Sequence, residues 1–373
     1  MPPFTRLLIL TAAIGIAAPA HAQDTSRPVD IHGFGTWAYG RTTDNNYLNG
    51  TPEGDYRRST MALNLSKIVN DKLAIHTQAE IAEDKTGTVV ELDFAFAEYA
   101  LADWLSLRVG QVKHPFGIYT EVFGVGTLHP FLALPQAFYG PVGFAGKSYK
   151  GVGIAGHVDL GEWTAAYDLY GGGNELHKLA TPEEYYNGRS LQNAASQIEL
   201  QSTRDVIGGR LVLRTPIQGL SFGGSSYTGI LNEPAANRRT VVAGQIGYRT
   251  NALTLESELA HEKQVNDEIV TGGYALAAYR LSQEWQVGAQ YGDLKNTFFG
   301  VDPSAASSLQ HHRESAFVVS HWFSRVLVFK AEYHLVNGNR FAMPDAPLLV
   351  DVISTGRLHT TTHLVQFGAQ FAF

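Results

Sequence analysis

In this chain of 373 residues, charged side chains sit repeatedly at every second position of runs whose other positions are apolar. The bases placed in this way are Arg108, Arg210, Arg214, Arg249, Arg280 and Lys330. The acids are Glu80, Glu91, Asp93, Glu256, Glu258 and Glu332. A period of two belongs to a β-strand and gathers the charges of each run on the face opposite its apolar residues. Charges of both signs lining a wet lumen set up a transverse field that orders polar solutes and sets selectivity. The plainer reading of each is a wall charge paired with a neighbour. Glu121, Lys147 and Lys150 add one acid and two bases on the long segment 115–150. Mixed signs of this kind assign no ion preference.

Other constellations do not assemble into a site. His359 and His363 stand four apart in a strand-like region, where that spacing does not hold a metal as it does on a helix. His311-His312 falls in an expected outer loop and reads as solvated. Gly171-Gly172-Gly173 follows a strand but leads into no helix pattern, so it does not cradle phosphate. Ser, His and acid sets can be drawn in many ways, which gives them little weight without geometry. No catalytic residue, metal or cofactor is expected.

The elements that must carry these charges are strands of about ten residues. Leu73, Ile75, Thr77, Ala79 and Ile81 alternate with His76, Gln78 and Glu80; Leu92, Phe94 and Phe96 alternate with Glu91, Asp93 and Ala95. Leu327, Phe329, Ala331, Tyr333 and Leu335 alternate with Lys330, Glu332 and His334. In the final run Val365, Phe367, Ala369, Phe371 and Phe373 share one face, with Gln366, Gly368 and Gln370 on the other. About sixteen such runs follow residue 29. Short turns near 70, 102, 160, 217, 251, 283 and 325 alternate with longer connections over 41–57, 84–88, 114–150, 171–204, 229–239, 263–269, 293–312 and 337–360. An even strand number with short turns at one end and long loops at the other is the pattern of a transmembrane antiparallel β-barrel, an all-β fold. The last run then pairs with the first, near Ile31–Tyr39. Trp104, Trp163, Trp285 and Trp322 stand beside short turns, where indoles form an interfacial girdle.

Composition agrees. The chain has 38 Gly, 17 Tyr and 19 Phe but only 3 Met and no Cys, which suits a large sheet without a disulfide framework. A net charge of −7 from 28 bases and 35 acids offers no footprint for nucleic acid. Residues 1–22 read as a secretory signal: Arg6, an apolar run Leu7–Ala18, and Ala20-His21-Ala22 at the cleavage site. Residues 23–373 form the single barrel.

The chain resembles the Gram-negative porins. Val90–Tyr99 looks like the fourth strand of such porins, and Gly110-Gln111-Val112-Lys113-His114-Pro115-Phe116-Gly117 is similar to a run in the phosphate-selective and related specific porins. No Lys/Arg ladder is dense enough to carry over anion specificity. The resemblance implies an outer-membrane homotrimer that admits small polar or ionic solutes by passive diffusion. It also implies a third loop folded into the pore, here the apolar stretch Phe131–Pro141 within segment 115–150. Two other classes stay open: an outer-membrane barrel enzyme, such as a lipase or protease, and a non-conducting structural or adhesive barrel. A soluble exported β-rich protein is a weaker fourth.

Overall fold

The computed structural model describes residues 28–84, 87–140, 144–178, 199–231, 237–264, 268–297, 307–344 and 359–373; the expected signal segment lies outside them. Sixteen strands close into one antiparallel barrel in which each strand pairs with its neighbours in sequence and β1 pairs with β16. The strands are β1 (Val29–Thr42), β2 (Asp55–Ile68), β3 (Leu73–Asp84), β4 (Gly87–Ala102), β5 (Leu105–Lys113), β6 (Ser148–Leu160), β7 (Trp163–Lys178) and β8 (Glu199–Arg214). They continue as β9 (Leu220–Leu231), β10 (Asn237–Arg249), β11 (Leu253–Gln264), β12 (Ile269–Arg280), β13 (Trp285–Thr297), β14 (His311–Ser324), β15 (Leu327–Asn337) and β16 (Thr361–Ala372). Seven of the connections are the short turns read from the sequence.

Alternation decides which face each residue takes. Ile31, Leu63, Ile75, Val152, Leu169, Leu211, Ile246, Leu259, Phe317 and Val365 are all exposed large apolar residues on the outer face. The buried positions between them include Gln78, Glu80, Asp168, Glu256, Glu258, Glu314, Lys330, Glu332 and Gln366. Apolar outside and polar inside is the inverse of a soluble protein, and it suits hydrocarbon around the wall. The seam between β1 and β16 rests on two glycines. The rings of Phe371 and Phe373 lie over Gly35 and Gly33, where any Cβ would collide with them. Gly33 and Phe373 also exchange backbone hydrogen bonds of 3.0 and 2.9 Å.

Several expectations are corrected. The β3–β4 register shifts between Gln78 and Ala79, so β4 takes an extra residue at Asp93. Such a bulge changes which face the following residues take. Asp93 and Phe94 are both buried, and Phe94 and Phe96 stack against Lys113 and Arg108 inside rather than facing out. Trp322, beside the irregularity between Trp322 and Ser324, packs under Arg280 of the inner face and leaves the girdle to Trp104, Trp163 and Trp285, which are exposed. Gly171–Gly173 lie within β7, and β7 and β8 extend far into the expected loop. His311-His312 opens β14, and His312 is fully buried rather than solvated. Lys150 belongs to β6 and shares the outward parity of Val152, so it is not a residue of the connecting segment.

Candidate pore and its inward segment

Between β5 and β6 the described residues 114–140 and 144–147 leave the wall. They make two short 3-10 turns, Thr120–Val122 and Gly126–Leu128, and one helical turn, α1 (Gln136–Tyr139). Phe116, Phe131, Leu134, Ala137, Phe138, Tyr139 and Phe144 form a buried cluster with Tyr227, Val241, Tyr274, Leu276, Leu294, Ala316 and Val318, which are inner-face residues of β9, β10 and β12–β14. The segment is too apolar for open water, and this cluster removes its aromatic surface from it.

Three wall residues hold the segment from the far side. Lys330, 1% exposed, donates from Nζ to the carbonyls of Gly126 (2.9 Å), His129 (2.6 Å) and Phe131 (3.1 Å) and to Gln370 Oε1 (2.6 Å). Glu332 accepts from the Leu132 N–H and is bonded to Gln366 and, at 2.9 Å, to His334. Glu258 accepts from the Ile118 N–H (2.9 Å), Tyr274 (2.7 Å) and Tyr139. Tyr139 in turn accepts from the N–H groups of Ile118 (3.0 Å) and Tyr119 (2.9 Å). Gly117 makes the tight approach possible: its φ of +66° is a left-handed conformation suited to glycine, and Glu258 and Tyr139 fill the space a side chain would need. Burial and the neighbouring Glu258 raise the Tyr139 pKa, so the phenol stays protonated and donates.

The rest of the inner face is charged and partly open. Arg108 bonds Glu98 at 2.6 Å and lies 3.7 Å from Asp168. Arg210 bonds Asp168 at 2.8 Å and reaches Glu121 of the segment at 2.5 Å. Lys113 pairs with Asp93 at 2.5 Å. Lys147 pairs with Glu91 and, at 3.4 Å, with Glu80. Burial tends to lower the Lys147 pKa, but Glu80 and Glu91 outweigh it and the net direction is up. Arg249 bridges Glu256 and the hydroxyl of Tyr119 at 3.3 Å. Arg214 and Arg280 lie exposed on the inner face beside the short turns, Arg280 with its guanidinium 5.6 Å from the Trp322 ring.

The strand charges singled out by alternation thus divide into two groups. Glu258, Lys330 and Glu332 are clamps, whereas Arg108, Glu91, Arg210, Arg214, Arg249 and Arg280 keep exposed or part-exposed side chains, and Glu80, Asp93 and Glu256 are buried partners of bases. Asp168, Glu98, Lys113, Glu314 and His334 complete the networks and were missed. Asp168 and His334 carry the same parity signal as their neighbours. Glu314 accepts from Tyr47 (2.8 Å) and is bonded to His334 (2.6 Å), a link between the first long connection and the wall. Among the described residues no group of His, Cys, Asp and Glu is arranged to hold a metal.

Solved structures superpose on this closed 16-stranded antiparallel wall over most of its length. The in-vitro folded outer membrane protein OmpT of Vibrio cholerae in its trimer form superposes with a TM-score of 0.56 at 11% identity, over 93% of this chain and 99% of that one. The anion-selective porin of Comamonas acidovorans gives 0.57 at 11% identity, covering 93% and 100%. The chain has the porin fold. The outer membrane channel DcaP of Acinetobacter baumannii is similar again, at 0.58 and 8% identity over 93% and 97%. No family model matches the porin-fold chain, and no curated protein matches its sequence.

Proposed function

We propose that this porin-fold barrel is an outer-membrane channel for the passive diffusion of small hydrophilic solutes or ions, assembled as a homotrimer. The observation that carries the reading is the distribution of charge. The outer face is apolar, whereas Arg108 and Arg210 on the inner face and Glu121 and Lys147 on the inward segment are part-exposed charges. Fixed charges around a narrowed water path sort solutes by size and field without energy input. The pore-lining set is Arg108, Glu80, Glu91, Asp93, Arg210, Arg214, Arg249, Glu256 and Arg280, with Glu121 and Lys147 on the segment.

A hydrolase would use the inner-wall pair Ser66 and His76, whose Oγ and Nδ1 lie 2.9 Å apart. The other described contact of His76 is the Phe96 ring, and among the described residues no carboxylate is bonded to the imidazole to orient it as nucleophilic catalysis requires. The purified, heat-modifiable protein reconstituted into a planar bilayer tests the proposal. Discrete ion-conducting steps and swelling of solute-loaded liposomes are expected. Folded protein that gives neither, in the trimer or the monomer, returns the choice to an enzyme or a structural barrel.

A further inference from the structure

The barrel wall has a step. β5 ends at Lys113 and its last pair with β4 is Ala95↔Gln111, so Gly87–Phe94 of β4 pair with β3 alone. The last pair of β6 with β7 is Tyr149↔Asn174, whereas β7 and β8 stay paired as far as Lys178↔Glu199. A cavity of about 620 Å³ occupies this step, lined among others by Glu91, Asp93, Gln111, Lys147, Asn174 and Thr203. Gln111 caps part of the open β4 edge, donating to the carbonyls of Leu92 (2.7 Å) and Asp93 (3.0 Å).

One irregularity shapes the lining. β8 carries an extra residue around Arg204 and Asp205, which shifts its register against both β7 (between Gly172 and Asn174) and β9 (between Arg204 and Ile207). Asp205, inside this bulge, has φ +53°, an uncommon conformation for a side-chain-bearing residue. Farther along β8 the even-numbered Val206, Gly208 and Arg210 face inward; the bulge brings odd-numbered Thr203 inside as well, in register with Asn174. Bulges that re-aim side chains, and backbone strain, gather at functional sites.

The chemistry of the lining is specific. Most of its charges are paired: Asp93 with Lys113 at 2.5 Å, Lys147 with Glu91, and Arg204 with Asp205 at 2.7 Å, while Lys150 stands at its outer side. The groups without a hydrogen-bond partner are both amide atoms of Asn174, the hydroxyl of Thr203 and Oδ1 of Asp93. Asn174 and Thr203 are only 4% and 1% exposed. Buried polar groups left unpaired cost free energy, and a native structure resolves that cost with a ligand or ordered water. An amide and a hydroxyl each donate and accept, and so does every hydroxyl of a sugar. An ion would meet inward charges that already hold a partner of opposite sign.

We propose that this cavity binds an uncharged polyhydroxylated solute of mono- or disaccharide size, its volume being that of a small-molecule pocket. The site does not depend on conduction, because binding is read at equilibrium in detergent. Isothermal titration of the folded protein uses glucose and sucrose as probes, with glycine betaine and inorganic phosphate as the zwitterionic and anionic comparisons. Saturable heat from a sugar is expected, with none from betaine or phosphate. Asn174→Leu should weaken sugar binding about tenfold and Thr203→Val a few-fold, while Tyr291→Phe on the outer face leaves it unchanged. Heat-modifiable migration reports folding, and the near-isosteric Thr203→Val serves where Asn174→Leu does not fold. No saturable heat from either sugar overturns the proposal, as do tighter binding of betaine or phosphate and sugar binding that both variants leave intact. Absent ion current with intact sugar binding would instead count against the channel alone.

Discussion

The inner wall has two sides built from the same residue types in the same alternation. On β11–β16, Glu258, Lys330 and Glu332 are sealed beneath the inward segment. On β3–β8, Arg108, Arg210, Glu91 and Lys147 keep part of their surface in water. What separates the sides is the segment, which spends its backbone polar groups on one and leaves the other to the lumen. A charge in the same pattern is therefore a structural clamp where main chain covers it and a field source where water does. Coulomb energy at a given distance is several-fold larger in the covered environment, so the sealed side is expected to govern stability and, in the proposed channel, the wet side selectivity.

The largest expected effect breaks the seal. Lys330→Met leaves the carbonyls of Gly126, His129 and Phe131 without their buried donor, a loss on the order of 3 kcal/mol or more. Its heat-modifiable transition should move down by several degrees, and its bilayer conductance should become larger and noisier as the segment detaches. A variant with wild-type transition and current would show that the segment is not held from this side.

An intermediate effect comes from acid. Burial lowers the pKa values of His114 and His129 to about 3, with the charge of Lys330 adding to the effect at His129 and those of Arg239 and Arg210 at His114. In the unfolded chain both take up a proton near the ordinary 6.5, whereas the folded chain refuses it. Their contribution is thus fully present above about pH 6.5 and falls as pH drops toward 3, by up to about 1.4 kcal/mol per unit for each histidine. Chemical denaturation across this window should show that slope. His129→Gln keeps a donor for the Val122 carbonyl and should flatten it by one proton; an unchanged slope would place the titration elsewhere.

The smallest effect sharpens the wet side. Arg108→Ala leaves the acids Glu98 and Asp168 less compensated and should shift the reversal potential in a salt gradient toward cation preference, with little change in stability. The shift should be clear at low ionic strength and fade near 1 M salt, where the screening length is only about 3 Å. An ion preference that does not move removes Arg108 from the selectivity set.

Strand number, turn positions and the outer face were legible because each face of a closed sheet meets a single medium and the side-chain period is two. Parity fails where a residue is inserted: Asp93 turns Phe94 and Phe96 inward, and Trp322 leaves the outer girdle. A single sequence carries no mark for such bulges. The division of the charges into clamps and field sources was also hidden. The bonds of Lys330 run to carbonyls about two hundred residues earlier in the chain, and no local pattern encodes a main-chain acceptor. The buried place of His312 was missed because β14 begins before the apolar alternation becomes clear.

The bare glycines under Phe371 and Phe373 bear on how the barrel is made. β1 and β16 are the pair farthest apart in the chain, so their meeting is the slowest kind of contact to form, although its entropic cost grows only logarithmically with the length enclosed. Until they meet, both present unsatisfied edges that invite pairing with other chains. A smooth strip of backbone that receives two rings gives this late encounter a recognisable landing place. Crowding it with a side chain at Gly35 would act on the yield of closed molecules during assembly far more than on the properties of those that close.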